Sequence, residues 1–451
     1  MMPSSVEEGV ANRPTVPIEA ASVKGVSAQI RFNGAQLPDV LAIRPGPRVG
    51  PGGDSDRIGH LMAPPVSRLD TDARAELDAL RARGLHRVLR RVEGRPGPRM
   101  RVDGRDVLML AGSNYLDLAG DDRVVAAAAS AAHEYGTAAT GSRLINGNLD
   151  LHETLETELA RFAGHEAALV FSSGYLANLG VLGALAGPGD VIVSDSLNHA
   201  SIIDACKLSR AETRVFRHND PEDFARVASG LAGFRRRVLV TDGVYSMDGD
   251  VARLHELVPI ARAHDMAVVL DDAHGLGVLG ARGRGCAEHH GVSPDLVIGN
   301  LGKALGSFGA FVACSGVLRE LLVNTARSFI FTCALAPPAL GAAREALRIV
   351  EAEPERRKLL LERAEQLRAG LRAAGYDTAH STTQIVPAIV GENDAVMRLC
   401  EAALARGVYA QGIRHPSVPH KSARIRFTPT SAHSAAEIAE VVATFGELRG
   451  A

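Results

Sequence analysis

The sequence predicts an α/β protein, with a mostly parallel sheet flanked by helices and a smaller α+β unit after it. Between residues 121 and 340, helical patterns alternate with short Val- and Ile-rich runs bounded by Gly, Asp or Ser, as expected for strands buried on both faces of a parallel sheet. These runs are AALVFSS, DVIVSD, RVLVTDGVYS, AVVLDDAH, DLVIGN and AFVACS. After residue 341 a long helical stretch leads into three further strand-like segments, TQIVPAIVG, VYAQGIR and ARIRFTPT.

The 451 residues are too many for one small domain, and four segments are predicted. Residues 1–63 are rich in Pro, Gly and Ser and predict a flexible N-terminal extension. Residues 64–120 predict a helical segment, because DTDARAELDALRARGLHRVLRRV places leucines on one face behind a plausible N-cap, Asp70. Residues 121–340 form the large α/β domain, and residues 341–451 form the C-terminal α+β domain.

The composition is that of an ordinary soluble protein, with 46% hydrophobic and 23% charged residues. A formal net charge of -2 gives no overall attraction to nucleic acid or to an anionic membrane. The five cysteines lie singly without metal-ligand spacing, which predicts a reducing compartment and no metal site. The N-terminus lacks a signal-peptide pattern and no apolar run could span a bilayer, so we expect a cytoplasmic protein.

Four reactive residues follow the predicted strands. Asp271 and His274 come after AVVL, His199 after DVIVSD and Lys303 after DLVIGN. Ligands of parallel sheets bind at the carboxyl ends of the strands. A lysine in a dry site can act as an amine nucleophile, and a buried carboxylate can keep a heterocyclic nitrogen protonated. Each residue alone is more often structural, but their joint placement favours one site.

The segment FSSGYLAN joins a predicted strand to an apolar helix. Ser172, Ser173 and Gly174 would then present hydroxyls and main-chain N–H groups at a helix N-terminus, which suits a phosphate. Ordinary helix capping by serine explains the same residues equally well.

Gly275, Gly277 and Gly280 spell G-x-G-x-x-G, the pattern of a dinucleotide-binding turn. The preceding strand ends in charged residues, however, and the following ARGRGCAEHHG is not an amphipathic helix. The glycines therefore predict a flexible turn that leaves the sheet. An NAD-dependent oxidoreductase stays open as a remote alternative, and it would bind nicotinamide without a lysine-bound chromophore.

From Asn114 onward the chain resembles the α-oxoamine synthases, which are pyridoxal phosphate (PLP) enzymes of fold type I. The family's motifs occur in the family's order: SNYLDLA, GSRLINGNLDLHETLE, FSSGYLAN, SDSLNHASIIDACKLS, TDGVYSMDGD, LDDAHGLGVLGARGRG, LGKALGSFGAF and RHPSVP…ARIRFTPT. The resemblance implies the PLP-dependent transferase fold and a homodimer whose active sites form at the subunit interface.

The resemblance also implies roles for individual residues. Lys303 would bind PLP covalently, Asp271 would pair with the pyridine nitrogen, and His274 would hydrogen-bond the phenolic oxygen. His199 would stack on the ring. The cofactor would further contact Ser173, Gly174, Tyr175 and Ser246, and the amino-acid carboxylate would be bound by Asn114, Arg426 and Arg414.

The chain departs from the family pattern at two positions that contact the cofactor phosphate. Many relatives have threonine where this chain has Asn300 and Cys333. Asn300 can still donate a hydrogen bond, and Thr332 is adjacent to Cys333. The resemblance assigns the threonine at position 333 to the phosphate of the partner subunit's site.

The implied reaction is a decarboxylating condensation of an amino acid with an acyl thioester to give an α-amino ketone, with Lys303 as the base. GSRLINGN and FIFTCALAPP resemble one group within this family more than the others, and that resemblance implies L-alanine with pimeloyl-CoA or pimeloyl-ACP as substrates. A glycine or serine acceptor with another acyl group stays open. A catalytically silent structural subunit also stays open, although such a protein is expected to have lost Lys303.

Overall fold

The computed structural model describes residues 67–450, so the predicted extension over residues 1–63 lies outside the described residues. The chain divides into Met1–Thr71 and Asp72–Ala451, and the described part of the first unit is the start of a helix. Within residues 67–450, no helix is both long and apolar enough to cross a membrane.

The elements follow one another in three groups along the chain. The first is α1 (Arg68–Ala82), β1 (Val92–Glu93), β2 (Arg99–Val102), β3 (Arg105–Met109), α2 (Asp122–Tyr135) and α3 (Asp150–Ala163). The second is β4 (Ala167–Phe171), α4 (Gly174–Leu185), β5 (Val191–Asp195), α5 (Ala200–Ser209), β6 (Glu212–Phe216), α6 (Pro221–Ser229), β7 (Arg237–Asp242), α7 (Leu254–Ala263), β8 (Ala267–Asp271), α8 (Cys286–His290), β9 (Leu296–Asn300), β10 (Ala310–Cys314), α9 (Gly316–Thr325), α10 (Arg327–Ile330) and α11 (Pro337–Ala352). The third is α12 (Pro354–Ala373), β11 (Val386–Gly391), α13 (Asn393–Ala405), β12 (Val408–Tyr409), β13 (Gln411–Ile413), β14 (Ala423–Phe427) and α14 (Ala435–Gly450).

The central sheet has the strand order β4-β10-β9-β8-β7-β5-β6. Strands β5 to β9 pair in parallel, whereas β10 is antiparallel to both of its neighbours, β4 and β9. The six predicted strands of this region are confirmed, and the sheet is mostly parallel as predicted. Helices cover both faces, which explains why these strands are almost continuously apolar.

The sheet also has one strand that the sequence pattern did not predict. Strand β6, ETRVF, lies at the edge of the sheet and is mostly exposed, and in the part of the chain that the structure describes it pairs with β5 alone. Its charged side chains are typical of an edge strand, since charges there oppose pairing with other chains.

The segment over residues 64–120 is not only helical, and this corrects the sequence analysis. Helix α1 ends at Ala82 because Gly84 adopts φ +65°, and the Leu85 N–H closes the helix by donating to the Leu80 carbonyl over 2.8 Å. Strands β1 to β3 follow, and β3 pairs in parallel with β12 of the C-terminal region. Leu108 and Leu110 are thereby buried in the C-terminal core.

The G-x-G-x-x-G segment forms a tightly packed, buried turn, so the prediction of a flexible turn is wrong. A Cβ at Gly275 would lie 2.1 Å from Asp272 Oδ1 and 2.7 Å from Cys286 Sγ. Gly277 and Gly280 adopt φ values of +79° and +82°. The next helix, α8, is only five residues long. The turn therefore lacks the helix N-terminus that a dinucleotide-binding turn needs.

Gly275→Ala should lower the thermal unfolding midpoint strongly, because the new methyl group collides with two buried side chains. Overpacking of this kind costs about 1–3 kcal/mol or more. Gly183→Ala is the matched control: it lies in α4, and a Cβ there meets nothing within 4 Å. We expect that change to be neutral or to stabilise by about 0.4–1 kcal/mol. Equal midpoints for the two variants in calorimetry would contradict the packing described for this turn.

Candidate active site

Lys303 lies in the loop after β9, beside the end of β8. At the start of this loop, the Asn300 carboxamide oxygen accepts a hydrogen bond from Gly302 N over 2.8 Å. Lys303 Nζ lies 3.2 Å from His274 Nε2, and His274 Nδ1 lies 2.7 Å from the Tyr115 hydroxyl. Burial lowers the pKa of Lys303. The structure thus brings the predicted lysine and histidine together and adds a tyrosine to them.

A chain of hydrogen bonds connects His199 to Asp271. His199 Nδ1 lies 2.7 Å from Ser201 Oγ, and that hydroxyl accepts from Asn178 Nδ2 over 2.9 Å. Asn178 Nδ2 also donates to Asp271 Oδ2 over 2.7 Å, while Ala273 N donates to Oδ1 over 3.0 Å. Asp271 is therefore held as a buried acceptor, and no cationic side chain within residues 67–450 is bonded to it. The imidazole of His199 is exposed at the surface, where it can stack on a ligand ring.

Asp242 lies beside Asp271, since the two residues are partners in the parallel register of β7 and β8. Its Oδ2 accepts from His199 N over 2.7 Å, which fixes the main chain that carries the imidazole. Burial and the charge of Asp271 raise the pKa of Asp242 well above its ordinary value. The Asp242 carboxyl therefore tends to hold its proton.

The N-terminus of α4 lies close to the Lys303 loop. Ser173 caps this helix by accepting from Leu176 N over 3.2 Å. A Cβ at Gly174 would lie 3.1 Å from Asn300 Nδ2, so the amide of Asn300 is at the first turn of the helix. A glycine, a serine hydroxyl, an amide and free helix N–H groups make an anion-binding cradle.

The residues that border this cradle have different contacts. Ser172 Oγ donates to the Cys333 carbonyl over 3.3 Å, so the segment with Thr332 and Cys333 lies beside the cradle of its own chain. Tyr175 is partly exposed, and its hydroxyl donates to Asp204 Oδ2 over 2.6 Å. Tyr175 can therefore contribute to the cradle through its main-chain N–H.

The three residues predicted to bind a carboxylate have different environments. Arg426 donates to the Ser246 carbonyl over 3.2 Å, its Nε is buried without a partner among the described residues, and its charge acts on Lys303 and His274. Asn114 is bound within its own loop, where Nδ2 donates to Asp117 Oδ1 over 3.0 Å. Arg414 instead donates to the main-chain carbonyls of Gly84 and His86.

Comparisons with known proteins agree with this geometry. The model of the aminotransferase class I and II family matches residues 105–445. An 8-amino-7-oxononanoate synthase of Geobacter sulfurreducens is 48% identical over 83% of this chain and 96% of its own. The 8-amino-7-oxononanoate synthase 2 of Bacillus subtilis is 44% identical over 84% of this chain and 98% of its own. The chain belongs to the α-oxoamine synthase family.

Solved structures agree with this assignment. A serine palmitoyltransferase of Sphingomonas wittichii superposes with a TM-score of 0.79 at 33% identity, covering 85% of this α-oxoamine synthase and 98% of its own chain. The 8-amino-7-oxononanoate synthase of Francisella tularensis superposes with a TM-score of 0.67 at 26% identity, covering 76% and 98%. Fold type I is thereby confirmed, and the enzyme is a PLP-dependent acyltransferase.

The side chains of this α-oxoamine synthase fit its cofactor, PLP. Asp271 is a buried acceptor that a protonated pyridine nitrogen would satisfy, and Lys303 supplies the amine for the aldehyde. The cradle of Ser173, Gly174 and Asn300 suits the phosphate. Asn300 stands where many relatives have a threonine that contacts the phosphate, and its amide is directed at the helix N-terminus.

Four residues of the site were not predicted from the sequence: Tyr115, Asn178, Ser201 and Asp242. Each lies inside a motif of the family, yet none bears a distinctive spacing. One signal was present for Asn178, since it lies four residues after Gly174 and so on the same face of α4. The others are identified only by their contacts in three dimensions.

Lys303 of the cofactor-free enzyme should react with acetic anhydride as a lysine of low pKa, because burial and the charge of Arg426 both disfavour its protonated form. We expect half-maximal reactivity below about pH 10.4, the ordinary value for lysine. Arg426→Gln should raise that pH. Competitive labelling followed by mass spectrometry measures it, with the exposed Lys358 as the internal standard. A Lys303 midpoint at or above the ordinary value would contradict the described environment.

Proposed function

We propose that the enzyme condenses L-alanine with a pimeloyl thioester, pimeloyl-CoA or pimeloyl-ACP, to give 8-amino-7-oxononanoate, a step of biotin biosynthesis. The proposal rests on one observation: Lys303, His274, Asp271 and Arg426 lie close together at the carboxyl ends of the central strands. The names of the relatives, at 44–48% identity, support the choice of substrates.

Arg426 is the side chain best placed to bind the substrate carboxylate. Its Nε has no partner among the described residues, and a guanidinium can bind a carboxylate through two parallel hydrogen bonds. Asn114 is the second candidate because of the family resemblance, and its side chain is bonded to Asp117 and Ala119 within its own loop. Arg414 donates to main-chain carbonyls, so we give it a structural role in holding the segment after α1.

Lys303 is the group that moves the proton in this proposal. Its lowered pKa favours the neutral amine, which can take the Cα proton of alanine as a general base. PLP, when bound, supplies an electron-withdrawing ring that stabilises negative charge at Cα. Asp271 holds the proton on the pyridine nitrogen, and the hydrogen bonds from Asn178 and Ala273 fix that carboxylate in place.

The condensation changes bonds at the alanine Cα and at the acyl carbon of the thioester. The alanine Cα forms a bond to the acyl carbon of the thioester, the C–S bond breaks, and the sulfur leaves as a thiolate that takes a proton from water. The former alanine carboxylate leaves as CO₂, and Lys303 returns a proton to Cα. His199 would stack on the cofactor ring and polarise the thioester carbonyl. Its main-chain N–H is held by Asp242, which keeps the imidazole at the site.

We also propose a cytoplasmic homodimer. Leu144, Ile145, Phe308 and Phe331 are large apolar side chains exposed on loops near the site. These loops pack on one another, since Gly147 abuts Ala334 and Gly309 abuts Leu335. A second copy would cover this apolar surface and bring its own loops to the active site. Light scattering of the purified enzyme measures the assembly.

L-Serine is the second candidate acceptor. The observation that favours it is the fold, because serine palmitoyltransferases superpose with TM-scores up to 0.80, against 0.67 for the 8-amino-7-oxononanoate synthase of Francisella tularensis. The higher similarity of sequence to proteins named 8-amino-7-oxononanoate synthase leads us to place alanine first.

Turnover with defined substrates tests the assignment. The enzyme loaded with PLP should release thiol and CO₂ from L-alanine with pimeloyl-CoA, with pimeloyl-ACP or with both, and Lys303→Ala should abolish the release. L-Serine with palmitoyl-CoA and glycine with acetyl-CoA are the comparison pairs. Turnover of a comparison pair, with none from alanine and pimeloyl donors, would remove the assignment and retain the family.

Arg426→Lys should raise the KM for the amino acid more than it changes kcat, because lysine cannot form the paired hydrogen bonds of a guanidinium. A charged hydrogen bond contributes about 1.5–3 kcal/mol, so a rise of roughly tenfold or more is expected. Arg414→Lys is the matched control and should leave the KM within about twofold. Equal effects of the two changes would contradict the assignment of the carboxylate to Arg426.

A further inference from the structure

Tyr115 makes a buried contact that none of the roles above uses. Its hydroxyl lies 2.7 Å from His274 Nδ1, and the other ring nitrogen, Nε2, lies 3.2 Å from Lys303 Nζ. Tyr115 is fully buried and His274 is 6% exposed. Tyrosine, histidine and lysine therefore form one hydrogen-bonded row that ends at the reactive amine.

The main chain around this row is held on two sides. Gln384 Nε2 donates to the His274 carbonyl over 2.8 Å, and the Tyr115 carbonyl accepts from Ser431 N over 2.8 Å. Gln384 and Ser431 belong to the C-terminal region, so that region fixes the separation of the tyrosine and the histidine. The phenol oxygen and the imidazole cannot easily move apart.

The charges around the row favour a neutral imidazole. Burial lowers the pKa of His274 well below its ordinary value, and the charges of Lys303, Arg426 and His199 lower it further. A neutral imidazole carries its hydrogen on one nitrogen and accepts with the other. The partner of Nδ1 therefore decides which nitrogen carries the hydrogen.

That partner is a protonated phenol. Burial raises the pKa of Tyr115, so its hydroxyl keeps its hydrogen. The charge of Arg426 and the side chains of Ser113 and Gln384 lower that pKa, but by less than burial raises it. Among the residues that the structure describes, the hydrogen-bond partner of this hydroxyl is His274 Nδ1, 2.7 Å away, and we assign the phenol hydrogen to that bond.

We propose that Tyr115 is a positioning residue that donates to His274 Nδ1 and thereby holds His274 as the tautomer with its hydrogen on Nε2. The inference rests on the PLP-dependent function and deepens it. A hydrogen on Nε2 is the one that His274 needs to donate to the phenolic oxygen of the cofactor. A hydrogen on Nδ1 would leave only a lone pair facing that oxygen.

Nitrogen-15 NMR of the histidine rings tests the tautomer directly in the cofactor-free enzyme. We expect His274, assigned by the loss of its signals in His274→Asn, to carry its hydrogen on Nε2. In Tyr115→Phe we expect that preference to weaken or to reverse. A wild-type His274 with its hydrogen on Nδ1 would overturn the proposal, and this measurement requires no tyrosine variant to fold.

The absorbance of PLP bound to Lys303 gives a second readout. A donor to the phenolic oxygen stabilises its anionic form and so lowers the pH at which the bound cofactor loses its proton. Tyr115→Phe should move the midpoint of the absorbance titration to higher pH by about one unit, a roughly tenfold change in the equilibrium. An unmoved midpoint together with an unmoved tautomer refutes the proposal.

Tyr376→Phe is the matched control. It also removes a buried phenol hydroxyl, one that donates to the Phe445 carbonyl over 3.0 Å in the C-terminal core. We expect it to leave both the His274 signals and the titration unchanged. If the wild-type enzyme gains no chromophore with PLP, the proposed function fails, whereas the NMR experiment still decides the role of Tyr115.

Discussion

The active site is arranged around two buried carboxyls that lie side by side. The register of β7 and β8 makes Asp242 and Asp271 neighbours at the carboxyl ends of their strands. Two like charges so close together and out of water cost too much to coexist unassisted. Hydrogen bonds from Asn178 and Ala273 stabilise Asp271, whereas Asp242 receives one main-chain hydrogen bond and has a raised pKa. Asp271 is therefore held in place as an acceptor that a cationic partner would satisfy.

Asp242 and Asp271 also interact with the functional groups on either side of them, His199 and Lys303. Asp271 is connected through Asn178 and Ser201 to His199, and Asp242 holds the main chain of that histidine. On the other side, Lys303 forms a hydrogen bond with His274. The charges of Asp271 and Asp242 raise the pKa of Lys303, whereas the charge of Arg426 lowers it. A change at either carboxyl therefore alters both the imidazole that would stack on the cofactor and the amine that would bind it.

The sequence was sufficient to predict the parts of this protein that rest on local pattern. Strands β4, β5 and β7 to β10 were predicted because burial on both faces makes each a short apolar run, and Lys303, Asp271 and His274 were found because they follow such runs. Strand β6 was missed because its exposed position removes that signal.

Contacts between distant segments set the limit of prediction from sequence. The row from Tyr115 to Lys303 and the bond from Asn178 to Asp271 join residues far apart in the chain, which no spacing rule reveals. Arg414 directly follows β13 and Arg426 lies in β14, and these two strands pair with each other. The sequence does not distinguish the two arginines, whereas their hydrogen bonds do. The glycines after β8 appeared flexible because the sequence does not show that Asp272 and Cys286 fill the space beside them.

The position of β10 has a consequence for how the protein is made. Strand β4 leaves the ribosome early, yet its one partner among the described strands is β10, which ends at Cys314. Until that residue emerges, both edges of β4 lack a partner, and so does the outer edge of β9. Within the central sheet, the strand next to the cofactor cradle therefore waits longest for its neighbour, and the nascent sheet is exposed to mispairing and chaperone capture in that interval.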